Sequence, residues 1–342
     1  MSLEEFLEEW NNASETVLVH TSGSTGDPKP MLVEKRRMLA SARRTNDFLG
    51  LKEGDTALLC MSLDYIAGKM MVVRAIERGL RLISVEPSGH PLGVNNCYEW
   101  DFHLFRPLLT SPNLGEEMVT FAAMVPMQVY NSLQVEEERE RLMQIRHLII
   151  GGGAIEKGLA AELKSFPNAV WSTYGMTETL SHIALRRLNG PDVSEWYTPF
   201  PSVKVGLNEE GCLVIDAPEV CTTTLITNDI AEVKPSPCVT PFRILGRKDN
   251  VICSGGIKIQ AEEVERQMRP YLREPYMITK RRDDKFGEVV VLLTEGSVKD
   301  AREVCEHILP KYYQPRVYLH VDRIPLTETG KPARQQAAQL AK

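Results

Sequence analysis

Between Thr56 and Gly153 short apolar runs alternate with stretches of helical composition, and glycine or proline marks most of the change-overs. Thr56-Ala-Leu-Leu-Cys-Met61 reads as a strand, Ala67 to Arg78 as a helix stopped by Gly79, and Arg81-Leu-Ile-Ser-Val85 as the next strand. Met118 to Met124 precedes Pro126 and a helical stretch from Gln128 to Leu133, and Arg146-His-Leu-Ile-Ile150 runs straight into Gly151-Gly152-Gly153. Strands separated by helices and glycine turns leave few architectures open. The expected class is α/β with a mostly parallel sheet, whose ligands sit beyond the carboxyl ends of the strands. From about Val193 the texture changes to short alternating segments, including Val203-Lys-Val205 and Cys212-Leu-Val-Ile215 around the turn Asn208-Glu-Glu-Gly211, which predicts a small antiparallel β subdomain. Pro235, Pro237 and Pro241 lead to Gly246-Arg247-Lys248-Asp249-Asn250, where a linker is expected. Helical runs (Ala261 to Met268, Val298 to Ile308) and strands (Val289 to Leu293, Val317 to Val321) then form a small α+β lid. The expected domains are therefore residues 1–247 and 248–342, the latter a small C-terminal lid.

A ligand is suggested by His20-Thr21-Ser22-Gly23-Ser24-Thr25-Gly26-Asp27-Pro28-Lys29-Pro30, which follows the β-branched run Thr16-Val17-Leu18-Val19. Glycines let main-chain N–H groups approach an oxyanion, hydroxyls add donors, and Lys29 brings charge after Pro28 stiffens the turn, so phosphate is the natural guest. No Gly-Lys-Ser/Thr closes the loop onto a helix, so it is not a Walker A motif. The ordered string Thr-Ser-Gly-Ser-Thr-Gly-x-Pro-Lys resembles the phosphate loop of the adenylate-forming superfamily: acyl-CoA synthetases, luciferases and peptide-synthetase adenylation domains. Further segments resemble that pattern in the family's order. Gly151-Gly152-Gly153-Ala154 resembles the glycine turn beside adenine and the acyl group. Tyr174-Gly175-Met176-Thr177-Glu178 is similar to the Tyr-Gly-x-Thr-Glu signature, which implies that Tyr174 stacks near adenine, Thr177 contacts the α-phosphate and Glu178 helps to hold Mg²⁺. A hard cation suits that assignment, since it takes carboxylate and phosphate oxygens.

By the same resemblance Asp229 accepts hydrogen bonds from the ribose hydroxyls, with Asn228 where the family usually has glycine. Arg247 is implied to bind ribose, and Asp249 to be the hinge between domains. Ser254-Gly255-Gly256-Ile257-Lys258-Ile259 through Glu262-Glu263-Val264-Glu265 resembles the segment whose glycine turn lines the pantetheine tunnel for CoA. Pro325-Leu-Thr-Glu-Thr-Gly330-Lys331-Pro-Ala-Arg334 is similar to the family's tail, so Lys331 is implied to be the catalytic lysine. A carboxylate attacking an α-phosphate brings two anions together, and a lysine stabilises that transition state.

The resemblance covers nearly the whole chain, with two departures. Relatives carry a lobe of well over a hundred residues before the phosphate loop, which here begins near residue 20. In Met61-Ser-Leu-Asp-Tyr65-Ile-Ala-Gly68, Tyr65 stands where the acyl-pocket histidine is expected. A parallel sheet needs both faces buried, so the short N-terminus implies that a second copy of the chain covers apolar surface, as a homodimer. Three details resemble the o-succinylbenzoate-CoA ligase branch: Tyr65 to Ala75, Val119-Thr120 to Gln128, and Ser181-His182 after Glu178. An aromatic dicarboxylate wants a cationic or hydroxyl-rich patch for its second acid, for which Arg74, Lys69 and Ser181 are candidates. The implied activity is ATP-dependent acid-CoA ligation, with ATP, Mg²⁺ and CoA as cofactors and co-substrate and a small carboxylic acid as substrate. Loading of a carrier protein, or non-catalytic nucleotide binding, stays open. The net charge of −6 offers nucleic acid no general attraction. Seven scattered cysteines without metal-ligand spacing read as reduced thiols, and the acidic N-terminus, an amphipathic helix candidate, lacks a signal-peptide pattern. No window is long enough to span a bilayer, so no membrane insertion is expected and the cytoplasm is.

Overall fold

The structure is a computed structural model that describes residues 1–20, 30–93, 97–102, 106–107, 114, 118–153, 155, 157–236, 239–327 and 332–342. The chain forms two compact units: residues 1–205, 215–225 and 235–241, and residues 206–214, 226–234 and 242–342. The division passes through a four-stranded sheet rather than falling between Arg247 and Lys248.

In the first unit nine strands form one sheet, ordered in space as Thr198–Pro199, His182–Arg187, Ala169–Gly175, His147–Ile150, Phe121–Met124, Thr56–Leu59, Arg81–Ser84, Tyr98–Asp101 and Arg106–Pro107. The five strands at the centre, from Ala169–Gly175 to Arg81–Ser84, pair in parallel, and the pairs outside them are antiparallel. The central strands are nearly all apolar because helices pack on the sheet. Val129, Leu133, Leu142, Leu159 and Leu163 from three helices close over Leu58, Ile83, Ala122, Leu148 and Val170. The Ile66–Arg78 helix packs against Thr56–Leu59, Arg81–Ser84 and the Lys35–Leu49 helix. Leu3–Asn11 starts with a capping box, Ser2 and Glu5 bonding each other's main-chain N–H, and buries Leu3, Phe6 and Leu7. Thr16–His20 and Pro30–Glu34 form a separate two-stranded ribbon, paired from Thr16↔Glu34 to His20↔Pro30. Among the described residues no helix is long and apolar enough to cross a membrane.

In the second unit a five-stranded sheet runs Ile257–Gln260, Val251–Ser254, Gly287–Thr294, Tyr276–Asp283, with Val317–His320 parallel to Gly287–Thr294. Its two faces have separate cores. Ile278 and Leu292 lie under the helices Ala261–Met268 and Val298–Ile308, while Met277, Val291 and Leu293 meet Ala337 and Ala341 around the Arg334–Leu340 helix.

Gly68 shows how closely the first unit is packed, since a Cβ there would lie 2.3 Å from the main-chain oxygen of Ser62. Neither backbone can yield cheaply, so Gly68→Ala should cost at least the roughly 1–3 kcal/mol of an overpacked core. Gly206, with nothing within 4 Å of its Cβ position, is the control. Thermal melts should show Gly68→Ala several degrees lower and Gly206→Ala nearly unchanged; equal melts would contradict the packing described.

Candidate active site

The carboxyl ends of two neighbouring parallel strands bring the best-matched motif residues of the first unit together. Ile150 pairs with Ser172, and the Gly151 Cα carries no side chain because a Cβ there would meet the Thr173 hydroxyl at 2.3 Å. Gly152 and Gly153 are exposed just beyond, and Gly151 N–H donates to the Met124 oxygen at 3.1 Å. Tyr174 is half-buried, its ring centroid 5.8 Å from that of Tyr197, whose hydroxyl bonds Ser172 Oγ at 2.9 Å. The chain then turns back through a short helical turn, Thr177–Thr179, into the antiparallel strand His182–Arg187. Thr177 is buried and the Glu178 side chain exposed. Thr179 Oγ1 accepts from the Met176 N–H at 2.9 Å and reaches the oxygens of Met176 and Ser181 at 3.0 and 2.6 Å. The sequence does not single out Tyr197, Thr179 and Thr45: Thr179 acts within its own turn, and the contacts of Tyr197 and Thr45 arise only when separate elements meet.

Beneath this turn lies a chain of buried polar groups. The Arg74 guanidinium is almost fully buried, donates from Nη2 to Ser181 Oγ at 2.6 Å and touches Met71 Sδ at 3.7 Å; its Nε has no partner among the described residues. No carboxylate of the described residues pairs with it. Burial pushes it down to about 9, which still leaves a cation at neutral pH. Thr45 Oγ1 donates to the Ser41 oxygen at 3.3 Å and so accepts from His182 Nε2–H at 3.0 Å, which leaves His182 Nδ1 to accept from the Ser181 hydroxyl at 3.3 Å. This order fixes the imidazole as the neutral Nε2–H tautomer. Burial first, and then the Arg74 charge, hold His182 well below its ordinary range. Lys69 corrects an expectation: its ammonium donates to the Leu18 oxygen at 2.7 Å and lies 3.5 Å from Glu9, so it ties the N-terminal helix to the ribbon instead of facing a substrate pocket. Tyr65 immediately precedes the Ile66–Arg78 helix. A cavity of about 310 Å³ lies nearby, lined by Leu59, Met61, Leu63, Ser84 and Trp100 among others.

In the second unit Asp229 and Arg247 face each other on antiparallel strands, joined by Arg247 Nη1 to Asp229 Oδ1 at 3.1 Å. Arg247 Nη2 also reaches Asp249 Oδ2 at 3.1 Å, and the Asn228 amide approaches both Asp249 oxygens at 3.3–3.4 Å. Ser254 pairs with Ile257, leaving Gly255 and Gly256, both left-handed at φ 58° and 86°, as a two-residue hairpin loop. Arg334 forks onto Glu265 at 2.9 and 2.7 Å and donates to the Ile278 oxygen at 2.8 Å, which joins the tail motif to the Glu262–Glu265 segment. Thr21 to Lys29, Ala154 and Lys331 lie outside the described residues. Among the described residues no three His, Cys, Asp or Glu side chains converge on a metal-sized site.

Residues 5–219, more than half of the chain, match the family model described as AMP-binding enzyme. The chain belongs to the AMP-binding enzyme family. It is accordingly an adenylate-forming acid–thiol ligase of the α/β class. A 2-succinylbenzoate–CoA ligase of Bacillus cytotoxicus is 25% identical over 97% of this chain and 72% of its own length. An acyl-CoA synthetase (AMP-forming)/AMP-acid ligase II-like protein from Dyadobacter fermentans is 30% identical, with a TM-score of 0.62 over 99% of this chain and 93% of its own. The fold is also similar to o-succinylbenzoate coenzyme A synthetase from Bacillus subtilis in complex with ATP and magnesium, at 21% identity, with a TM-score of 0.70 over 93% of this chain and 69% of that one.

The buried histidine gives this AMP-binding enzyme an acid-sensitive fold. Below the ordinary value of 6.5 the unfolded chain takes up a proton at His182 that the folded chain refuses, so stability present above that pH is lost as pH falls. Each pH unit costs about 1.4 kcal/mol until the folded form also titrates. The pH dependence of denaturant unfolding should be shallower by one proton in His182→Asn; an unchanged acid slope would place the proton uptake elsewhere.

Proposed function

We propose that this AMP-binding enzyme activates o-succinylbenzoate, an aromatic dicarboxylate, and transfers the acyl group to CoA. The observation that supports a second acid group on the substrate is Arg74: a buried cation without a carboxylate partner among the described residues, beside the Ser181 hydroxyl and at the foot of the turn bearing Thr177 and Glu178. Burying a charge in that state is costly, and a substrate carboxylate would offset the cost only when bound. The name of the Bacillus cytotoxicus relative supports the same acid.

In this reading one substrate carboxylate oxygen attacks the α-phosphorus of ATP, pyrophosphate leaves, and the CoA thiolate then attacks the acyl carbon and expels AMP. Thr21 to Lys29 bind the phosphates, Gly152, Gly153 and Ala154 border adenine, Tyr174 stacks on it, and Gly175 and Met176 carry the chain on to Thr177, which donates to the α-phosphate. Asp229 holds the ribose hydroxyls while Arg247 orients its carboxylate. Lys331 supplies the cation at the first transition state. A magnesium ion suits Glu178, a single exposed carboxylate, because such ions take most of their oxygens from phosphates and water, and when bound it neutralises charge developing on pyrophosphate. Residues 248–342 turn about Asp249 to present Ser254, Gly255 and Gly256 to CoA. A cytoplasmic homodimer belongs to the same proposal.

A panel of acids in ATP–pyrophosphate exchange tests the reading. The dicarboxylate should exchange faster than benzoate, coumarate or fatty acids. Arg74→Met should fold with an equal or higher melting temperature, because it removes a buried unpaired charge, and raise the KM of the dicarboxylate about 10- to 100-fold, the worth of one charged hydrogen bond. A faster monoacid, or equal loss for both substrate types in Arg74→Met, would contradict the substrate assignment.

A further inference from the structure

The turn from Gly175 to His182 is closed by its own atoms on one side. Leu180, buried, sits at φ 63° and ψ −26°, and is the one non-glycine residue at positive φ among the described residues. A leucine keeps that conformation only where its surroundings over-determine it, and here the Thr179 hydroxyl does so from within. The Glu178 peptide, however, is held from outside. Its main-chain oxygen accepts from the thiol of Cys221, 3.4 Å away. Cys221 is buried, and burial pushes its thiol up, so it remains protonated and able to donate.

Cys221 is fixed in turn by the helix Lys35–Leu49. Arg37 Nη1 donates to the oxygens of Pro218 and Cys221 at 2.8 and 2.9 Å, and Arg44 binds Glu219 from Nε and Nη2 at 2.9 and 2.5 Å. That helix directly follows the strand Pro30–Glu34, whose partner strand ends at His20. One helix thus anchors both the ribbon that flanks residues 21–29 and the strut that reaches Glu178.

We propose that Cys221, held by Arg37, is a positioning residue that fixes the Glu178 main chain so that its exposed carboxylate is aimed at the phosphate-bound metal. The inference rests on the assignment of Glu178 as the magnesium ligand. It assigns no chemistry to the thiol itself: the sulfur acts only as a short, buried donor. A serine hydroxyl can replace it, and an alanine cannot.

The test is the Mg²⁺ dependence of ATP–pyrophosphate exchange at fixed ATP, measured for Cys221→Ala, Cys221→Ser, Arg37→Lys and Glu178→Gln alongside thermal melts. Cys221→Ala should raise the apparent KM for Mg²⁺ about 10-fold, the usual effect of losing a group that orients a metal ligand. Cys221→Ser should stay within about twofold of the parent, and Arg37→Lys, which loses the double grip on Pro218 and Cys221, should shift KM in the same direction as Cys221→Ala. If Glu178→Gln changes the Mg²⁺ requirement and Cys221→Ala does not, the positioning role is wrong and the metal assignment stands. If Cys221→Ala lowers only the melting temperature, or Cys221→Ser is as impaired as alanine, the thiol is a packing residue and the proposal fails. If Glu178→Gln leaves the Mg²⁺ requirement unchanged, the metal assignment fails first.

Discussion

A Cβ on residue 175 would lie 2.2 Å from the main-chain oxygen of Ser181 and 2.5 Å from the Cα of His182. The reversal from Ala169–Gly175 into His182–Arg187 is therefore possible only with glycine at its entry, and the placement of Thr177 and Glu178 depends on that reversal. It sets Thr177 and Glu178 beyond the carboxyl end of a central parallel strand, next to the glycine turn that ends the neighbouring strand. It also brings half-buried Ser181 and buried His182 to Arg74 from one helix and Thr45 from another. Packing and polar chemistry are thus two consequences of one close backbone approach.

The buried chain from Arg74 to Thr45 is an unusual use of interior space. Each hydrogen bond in it contributes about 1 kcal/mol net, but the guanidinium at its end is desolvated with no opposite charge among the described residues, which offsets more than one of them. Arg334 is half-buried against Glu265, whose carboxylate holds the guanidinium above its ordinary range in spite of desolvation. The contrast between Arg334 and Arg74 separates an arginine that closes a structural joint from one that has no carboxylate partner among the described residues.

The α/β class and much of the element order were legible because the signals are local. The helices Ile66–Arg78, Ala261–Met268 and Val298–Ile308 end where the sequence pattern stops, and Thr56–Leu59 and Arg81–Ser84 are apolar enough to be read as buried strands. Tyr276–Asp283 was not visible: its outer half, Lys280-Arg-Arg-Asp283, is charged, and only pairing with Gly287–Thr294 makes it a strand. The candidate site divides similarly. Tyr174 to Glu178 and Gly151 to Gly153 are contiguous strings whose meaning survives without a structure. The supporting groups are single residues of common types, and what gives them meaning is contact across 137 residues for Thr45 with His182, or 43 for Cys221 with Glu178. Lys69 shows the opposite failure, a residue of suitable type whose charge is spent on Leu18 and Glu9.

The central claim is chemical: this chain joins an acid to CoA through an acyl-adenylate. Isotope transfer tests it directly. With o-succinylbenzoate labelled by ¹⁸O in its carboxyl groups, complete turnover with ATP, Mg²⁺ and CoA should place one ¹⁸O in the phosphate of the released AMP, because the attacking carboxylate oxygen stays on phosphorus when the thiol displaces it. AMP free of label, or label found in pyrophosphate or inorganic phosphate, would contradict the account.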